Sequence, residues 1–125
     1  MKIITFDTTG AIDEIKTGKV MESTDPEIQS ATKIISVIVR IELFSKPKLD
    51  AEEYAKRLFF LERVSVIPLN RVIQDETIHL RQYTSLKLPD AIIAATAVKT
   101  GAVLLTYDGH FEGLGWPGLT VKKSI

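Results

Sequence analysis

Short β-branched runs alternate along this chain with longer segments whose apolar residues recur every three or four positions, the pattern of strands alternating with helices. Residues 2–6 read as a short buried strand. Residues 34–39 form a second β-branched run that passes into a helix across residues 40–44, at a boundary periodicity does not place. Thr24-Asp25-Pro26-Glu27 starts a short helix through Ile28 and Ala31, with Thr24 or Asp25 as its cap and proline in the first turn. Asp50 to Glu53 opens another, whose apolar positions Tyr54, Ala55, Leu58, Phe59, Leu61 and Val64 predict one buried stripe. Residues 64–69 read as a third strand ending near Pro68, and residues 71–83 as a helix turning Val72, Ile73, Ile78 and Leu80 inward.

The segment from Leu88 to Gly101 is apolar almost all round, with proline and Asp90 in its first turn, Lys99 in its last and glycine just beyond. A helix of that character is buried between other elements, as when it packs on a sheet. Residues 102–107 then make the next parallel strand and residues 119–121 a last short one. The order predicts an α/β fold, a three-layer α/β/α sandwich around a mostly parallel central sheet. No repeat, low-complexity tract or linker interrupts it, and 125 residues suffice for one core and are too few for two, so residues 1–125 are expected to form a single domain.

Composition narrows the chemistry. The chain has no cysteine, which excludes disulfides, thiolate catalysis and cysteine-bound zinc and fits a reducing compartment; a cytoplasmic location is the expectation. Neither a signal peptide nor a membrane span is apparent, so no membrane association is expected. Sixteen basic residues balance sixteen acidic ones, which leaves no global field to attract a polyanion; any nucleic-acid contact must be local.

Four carboxylates stand where strands end or helices begin. Asp7 closes the run Ile3-Ile4-Thr5-Phe6, Asp108 follows residues 102–107, Asp90 opens the apolar helix, and Glu42 lies among Val39, Ile41, Leu43 and Phe44. Each has an ordinary reading: a first-turn acid gains from the helix dipole, an aspartate after a strand caps the next helix, and Glu42 can find a local partner. Acids gathered at the carboxyl edge of a parallel sheet instead repel one another unless a cation sits between them.

Asp7-Thr8-Thr9-Gly10 after a strand, Glu42 in Ser36-Val37-Ile38-Val39-Arg40-Ile41-Glu42-Leu43, the segment Leu88-Pro89-Asp90-Ala91-Ile92-Ile93-Ala94-Ala95-Thr96-Ala97, and Thr106-Tyr107-Asp108-Gly109-His110-Phe111 resemble, in order, the four signature segments of PIN-domain proteins, with the VapC-type toxin ribonucleases as the nearest likeness. The resemblance implies a metal-dependent endoribonuclease, the toxin component of a type II toxin–antitoxin system. Asp7, Glu42, Asp90 and Asp108 would form a pocket for one or two Mg²⁺ or Mn²⁺ ions, Asp7 and Asp90 being the most direct ligands. Thr106 would place a hydroxyl beside the reacting water or phosphate, or simply support the fold. The implied partners are an RNA substrate, a cognate antitoxin whose C-terminal segment lies over the pocket, and a second copy of the chain in a homodimer.

Hard divalent ions prefer carboxylate oxygens and can acidify water beside a phosphodiester, so no side-chain nucleophile is required. Thr9 stands where these toxins usually carry asparagine, and the alternative function is a catalytically weak or inactive PIN-fold module that binds RNA or protein. His110 reads as an exposed loop residue or a proton-transfer group, and Phe111 as a core anchor. Arg71, Arg81, Lys87, Lys46, Lys48, Lys122 and Lys123 are candidate phosphate contacts or plain surface charge. A receiver-like signalling domain would want two adjacent acids after the first strand, and Asp7 has no acidic neighbour.

Overall fold

The computed structural model describes residues 2–125. Strands β1 (Ile3–Phe6), β2 (Thr32–Ser36), β3 (Ser65–Ile67), β4 (Val103–Leu105) and β5 (Thr120–Lys122) pair in parallel in one sheet, in the order β3-β2-β1-β4-β5. Helices α1 (Thr8–Thr17), α2 (Pro26–Ser30), α3 (Val37–Phe44), α4 (Ala51–Glu62), α5 (Arg71–Tyr83) and α6 (Leu88–Thr100) supply the outer layers of an α/β/α sandwich. The chain leaves β1 towards β2 and β3, then returns through α5 and α6 to lay β4 on the other side of β1. The gap between β1 and β4 is therefore the place where the winding reverses, the usual site for a ligand at the carboxyl edge of such a sheet. Among the described residues no helix is long and apolar enough to cross a membrane.

The three central strands, β1, β2 and β4, are largely buried because helices cover both faces, which is why they read as continuous apolar runs rather than alternating ones, while the edge strands β3 and β5 are more exposed. Phe6 from β1 meets Phe60 from α4 edge to face, with ring centroids 5.6 Å apart, and this contact ties α4 to the sheet. In α6 every residue from Ala91 to Ala97 is buried; its alanines let the helix lie close to its neighbours. Asp25, Asp50 and Asn70 cap α2, α4 and α5 through side-chain oxygens.

Three expectations are corrected. The strand expected over residues 34–39 stops at Ser36, whose hydroxyl accepts from the Ile38 N–H and starts α3. Residues 37–39 are β-branched yet helical, since burial of Val39 and Leu43 on one helical face outweighs local preference. The stripe expected to be buried on α4 is largely exposed: only Phe60 is fully covered, while Tyr54, Leu58 and Phe59 face outward. On α5, Ile73 and Leu80 turn inward as expected, but Val72 and Ile78 are exposed and Thr77 takes an inward place instead. Helix α1 was not among the expected elements: Thr8, Thr9 and Gly10 in its first turn are poor helix formers, although Ala11, Ile12 and Ile15 behind them have helical spacing and pack on the core.

The register sets the site. Phe6 pairs with Leu105, so Asp7 and Thr106 leave adjacent strands at the same level, and the Asp7 N–H donates to the Leu105 carbonyl at 3.2 Å. Helix α1 must start immediately beside that carbonyl: a Cβ on Gly10 would stand 2.4 Å from the Leu105 oxygen and 3.2 Å from Asp7 Oδ1. Gly10→Ala is accordingly expected to cost ~1–3 kcal/mol, the range for overpacking a close backbone approach. Urea unfolding of the purified variant, with the midpoint lowered and the slope unchanged, checks this.

Candidate metal centre

Asp7 is the buried member of the carboxylate set, 3% exposed. It caps α1, and its Oδ1 accepts from the Gly10 N–H at 2.7 Å and the Thr9 hydroxyl at 2.8 Å. Its Oδ2 accepts a short hydrogen bond from the buried Thr106 hydroxyl, directly after β4. Burial pushes the Asp7 carboxyl above its ordinary pKa; hydrogen bonds from Thr106, Gly10 and Thr9 oppose the shift, and the negative charge of Asp108 reinforces it. A cation beside Asp7 would remove that penalty.

Thr106 connects the two strand ends, since its Oγ1 also accepts from the Asp108 N–H at 2.9 Å. Asp108 caps a short 3-10 turn, Gly109–Phe111, through a bond from the His110 N–H at 2.9 Å, and the buried Phe111 anchors that turn to the core as expected. Asp90 reaches the same place from the first turn of α6. Asp90, Asp108 and His110 offer ligand atoms that all lie within 4.8 Å of one another.

Asp7 is not a member of this tight group, although Thr106 links it to Asp108, and Glu42 stands apart from both. Glu42 is exposed, not packed among its apolar neighbours, and is linked to the pocket through the Thr8 hydroxyl, which donates to its Oε1 at 2.5 Å. Helical geometry accounts for this: Val39 and Leu43 occupy the buried face of α3, which leaves Glu42 on its open side. Thr8 adjoins Asp7 in sequence, so this bond is what joins Glu42 to the acidic site.

Three residues have roles that the sequence did not reveal. Thr9 lacks an amide, but its hydroxyl donates to Asp7 Oδ1 and accepts from the Tyr107 N–H at 3.1 Å, doing one donor's and one acceptor's work at once. The Tyr107 hydroxyl donates to Asp13 Oδ2 at 3.0 Å, adding a second clasp between α1 and the segment after β4. His110 is exposed, as a loop histidine should be, yet its Nδ1 lies 3.0 Å from Asp90 Oδ2 and 3.1 Å from Asp108 Oδ1. Its spacing of two from Asp108 was the one available signal.

The donor set suits a hard divalent cation: carboxylates arrive from the ends of β1 and β4 and from the start of α6, with hydroxyls fixing the buried one. Several candidate phosphate contacts are engaged within the chain. Lys46 pairs with Glu53 at 2.6 Å, Lys123 with Glu112 at 2.7 Å, and Arg81 donates to the Leu86 carbonyl at 2.9 Å.

The sequence matches the PIN domain family over residues 4–117. Among solved structures, a toxin–antitoxin complex from Klebsiella pneumoniae is similar at 28% identity and a TM-score of 0.69, covering 98% of this chain and 99% of that one. VapBC2 from Rickettsia felis, bound to a DNA fragment from their promoter, is similar at 24% identity and a TM-score of 0.77, covering 96% and 97%. DNA-bound VapBC from Salmonella typhimurium is similar at 24% identity and a TM-score of 0.77, covering 98% of each chain. No curated protein matches significantly.

The electrostatics of Asp7 give a signed prediction. Its carboxyl pKa is raised on folding, so its contribution to stability is fully present below the unfolded-state value and is lost as pH rises through the folded one. In EDTA, Asp7→Asn is expected to melt above the parent at pH 7, with the difference closing as pH falls into the carboxylate range; a variant less stable at pH 7 contradicts this. Thr9→Val removes a donor to Asp7 and the acceptor of the Tyr107 N–H together, and is expected to lower unfolding free energy by ~1–3 kcal/mol in denaturant titrations, while Thr9→Asn, which supplies both groups, retains most of it.

Proposed function

Because the chain belongs to the PIN-domain family, we propose that it is a metal-dependent endoribonuclease that hydrolyses RNA phosphodiester bonds, and that it is the toxin of a type II toxin–antitoxin pair acting in the cytoplasm. The observation that carries the reading is the buried Asp7 carboxylate, disfavoured as an anion where β1 and β4 part, with Asp108 close enough to disfavour it further. Asp90 joins Asp108 at the same edge. Such a grouping costs stability and gains a purpose when a cation is shared.

Asp7, Asp90 and Asp108 would hold Mg²⁺ or Mn²⁺, with Glu42 joined to the site through Thr8. The bound ion supplies Lewis acidity, a more acidic water and charge neutralisation at a phosphodiester. The chain's own part is positioning. Thr9 and the Gly10 N–H fix Asp7 Oδ1, and Thr106 fixes Oδ2, so that the carboxylate cannot rotate. Thr8 holds Glu42 by one oxygen, leaving that exposed carboxylate to orient solvent approaching the phosphate. Thr106 also sets the turn that carries Asp108.

RNA as substrate and a homodimeric state rest on the family likeness. An antitoxin partner is supported by the neighbours of matching length, among them a toxin–antitoxin complex. An antitoxin segment bearing a basic side chain would quench the acidic pocket by occupying the cation's place. The exposed Tyr54, Leu58 and Phe59 of α4 are apolar surface suited to a protein interface.

Purified protein incubated with total cellular RNA is expected to cleave it with Mg²⁺ or Mn²⁺ and not with EDTA. Asp7→Asn and Asp90→Asn, purified identically and folded, should each lose on the order of 100-fold or more, and Thr106→Val about 10-fold or more as a supporting residue. Equal cleavage by parent and both aspartate variants, or none from a folded parent loaded with metal, contradicts the proposal.

A further inference from the structure

We propose that His110 is a nitrogen ligand of this same centre and that it biases the centre towards first-row transition ions, Mn²⁺ and Co²⁺, over Mg²⁺. The inference rests on the metal-centre reading and deepens it, because the acidic segments by themselves imply only oxygen ligands. Its basis is placement. His110 Nδ1 lies 3.0 Å from Asp90 Oδ2 and 3.1 Å from Asp108 Oδ1, and ligands at about 2.1 Å from an octahedral ion stand ~3 Å apart along each edge. The imidazole nitrogen thus stands at the edge distance of a coordination shell from an oxygen of each acid, and all three donors lie within 4.8 Å of one another.

The ring is brought there by the backbone. Asp108 Oδ1 accepts from the His110 N–H at 2.9 Å, which closes the 3-10 turn and folds the side chain back over the acids. The next residue, Phe111, is buried and pins the turn. The two acids come from different elements, Asp90 from α6 and Asp108 from the segment after β4, so the imidazole spans the seam between them. With most of the ring exposed, no apolar packing competes for its position.

The consequence follows from ligand chemistry. Mg²⁺ holds oxygen ligands and water and gains little from imidazole, whereas affinity for nitrogen rises from Mn²⁺ through Co²⁺. Replacing the imidazole with an amide oxygen should therefore weaken Mn²⁺ and Co²⁺ about 10-fold while changing Mg²⁺ by less than about twofold.

The chain has two histidines and no cysteine, which makes a spectroscopic test unambiguous. His79 lies elsewhere, on α5, with its ring against Tyr83 and Trp116. Pulsed electron paramagnetic resonance of the Mn²⁺-loaded full chain should show hyperfine coupling to a directly bound imidazole ¹⁴N, kept in His79→Gln and lost in His110→Gln. Calorimetric titration of the same proteins with Mn²⁺, Co²⁺ and Mg²⁺ should show the selective loss in His110→Gln. Mn²⁺ binding that depends on Asp90, shown by its loss in Asp90→Asn, but carries no nitrogen coupling overturns the histidine ligand and leaves the carboxylate centre standing; so does an equal loss of all three ions in His110→Gln, the mark of a histidine that only hydrogen-bonds the acids. Mn²⁺ binding that is absent, or indifferent to Asp90→Asn, overturns the centre itself and the ligand with it.

Discussion

The site depends on one constraint: a buried carboxylate held at the level where two parallel strands end and the chain's winding reverses. The pairing of Phe6 with Leu105 brings Asp7 and Thr106 out of the sheet side by side, and Gly10 is small enough for α1 to start against the Leu105 carbonyl. Asp7 is then held by three donors from two elements. Those donors are short of offsetting its burial, since the carboxyl still titrates above its ordinary range. The fold thus carries an electrostatic cost at this edge, a cost a cation would relieve.

Around that carboxylate the supporting groups are hydroxyls rather than charges. Thr8, Thr9 and Thr106 each bond a carboxylate, and Thr9 and Thr106 also receive a backbone N–H from the segment after β4. A threonine hydroxyl donates once and accepts as well, so a single side chain can orient an acid and fasten a loop. This bears on Thr9, which stands where asparagine is usual in the toxins the chain resembles. Its hydroxyl meets both demands, donating to Asp7 and accepting from the Tyr107 N–H.

Much of this was legible in the sequence for physical reasons. Buried parallel strands have no exposed face and read as unbroken apolar runs, and α6 advertised its burial by being apolar on every side. Asp7, Asp90 and Asp108 could be placed because each marks the end of one element or the start of another. Less legible was anything set by which face of a helix the tertiary fold covers. Val72, Ile78, Tyr54 and Phe59 have the spacing of core residues yet are exposed, and Glu42, amid apolar neighbours, points outward beside Thr8. The turn at residues 109–111 was hidden too: only the fold brings α6 within reach of it, and with it His110 to Asp90.

The most direct test of the account is a crystal of the protein grown with Mn²⁺ and measured at an x-ray energy where manganese scatters anomalously. An anomalous peak enclosed by Asp7, Asp90 and Asp108 at the carboxyl ends of β1 and β4 is the expected result. An ordered pocket without such a peak at saturating Mn²⁺, or a peak bound only at other acids, would contradict it.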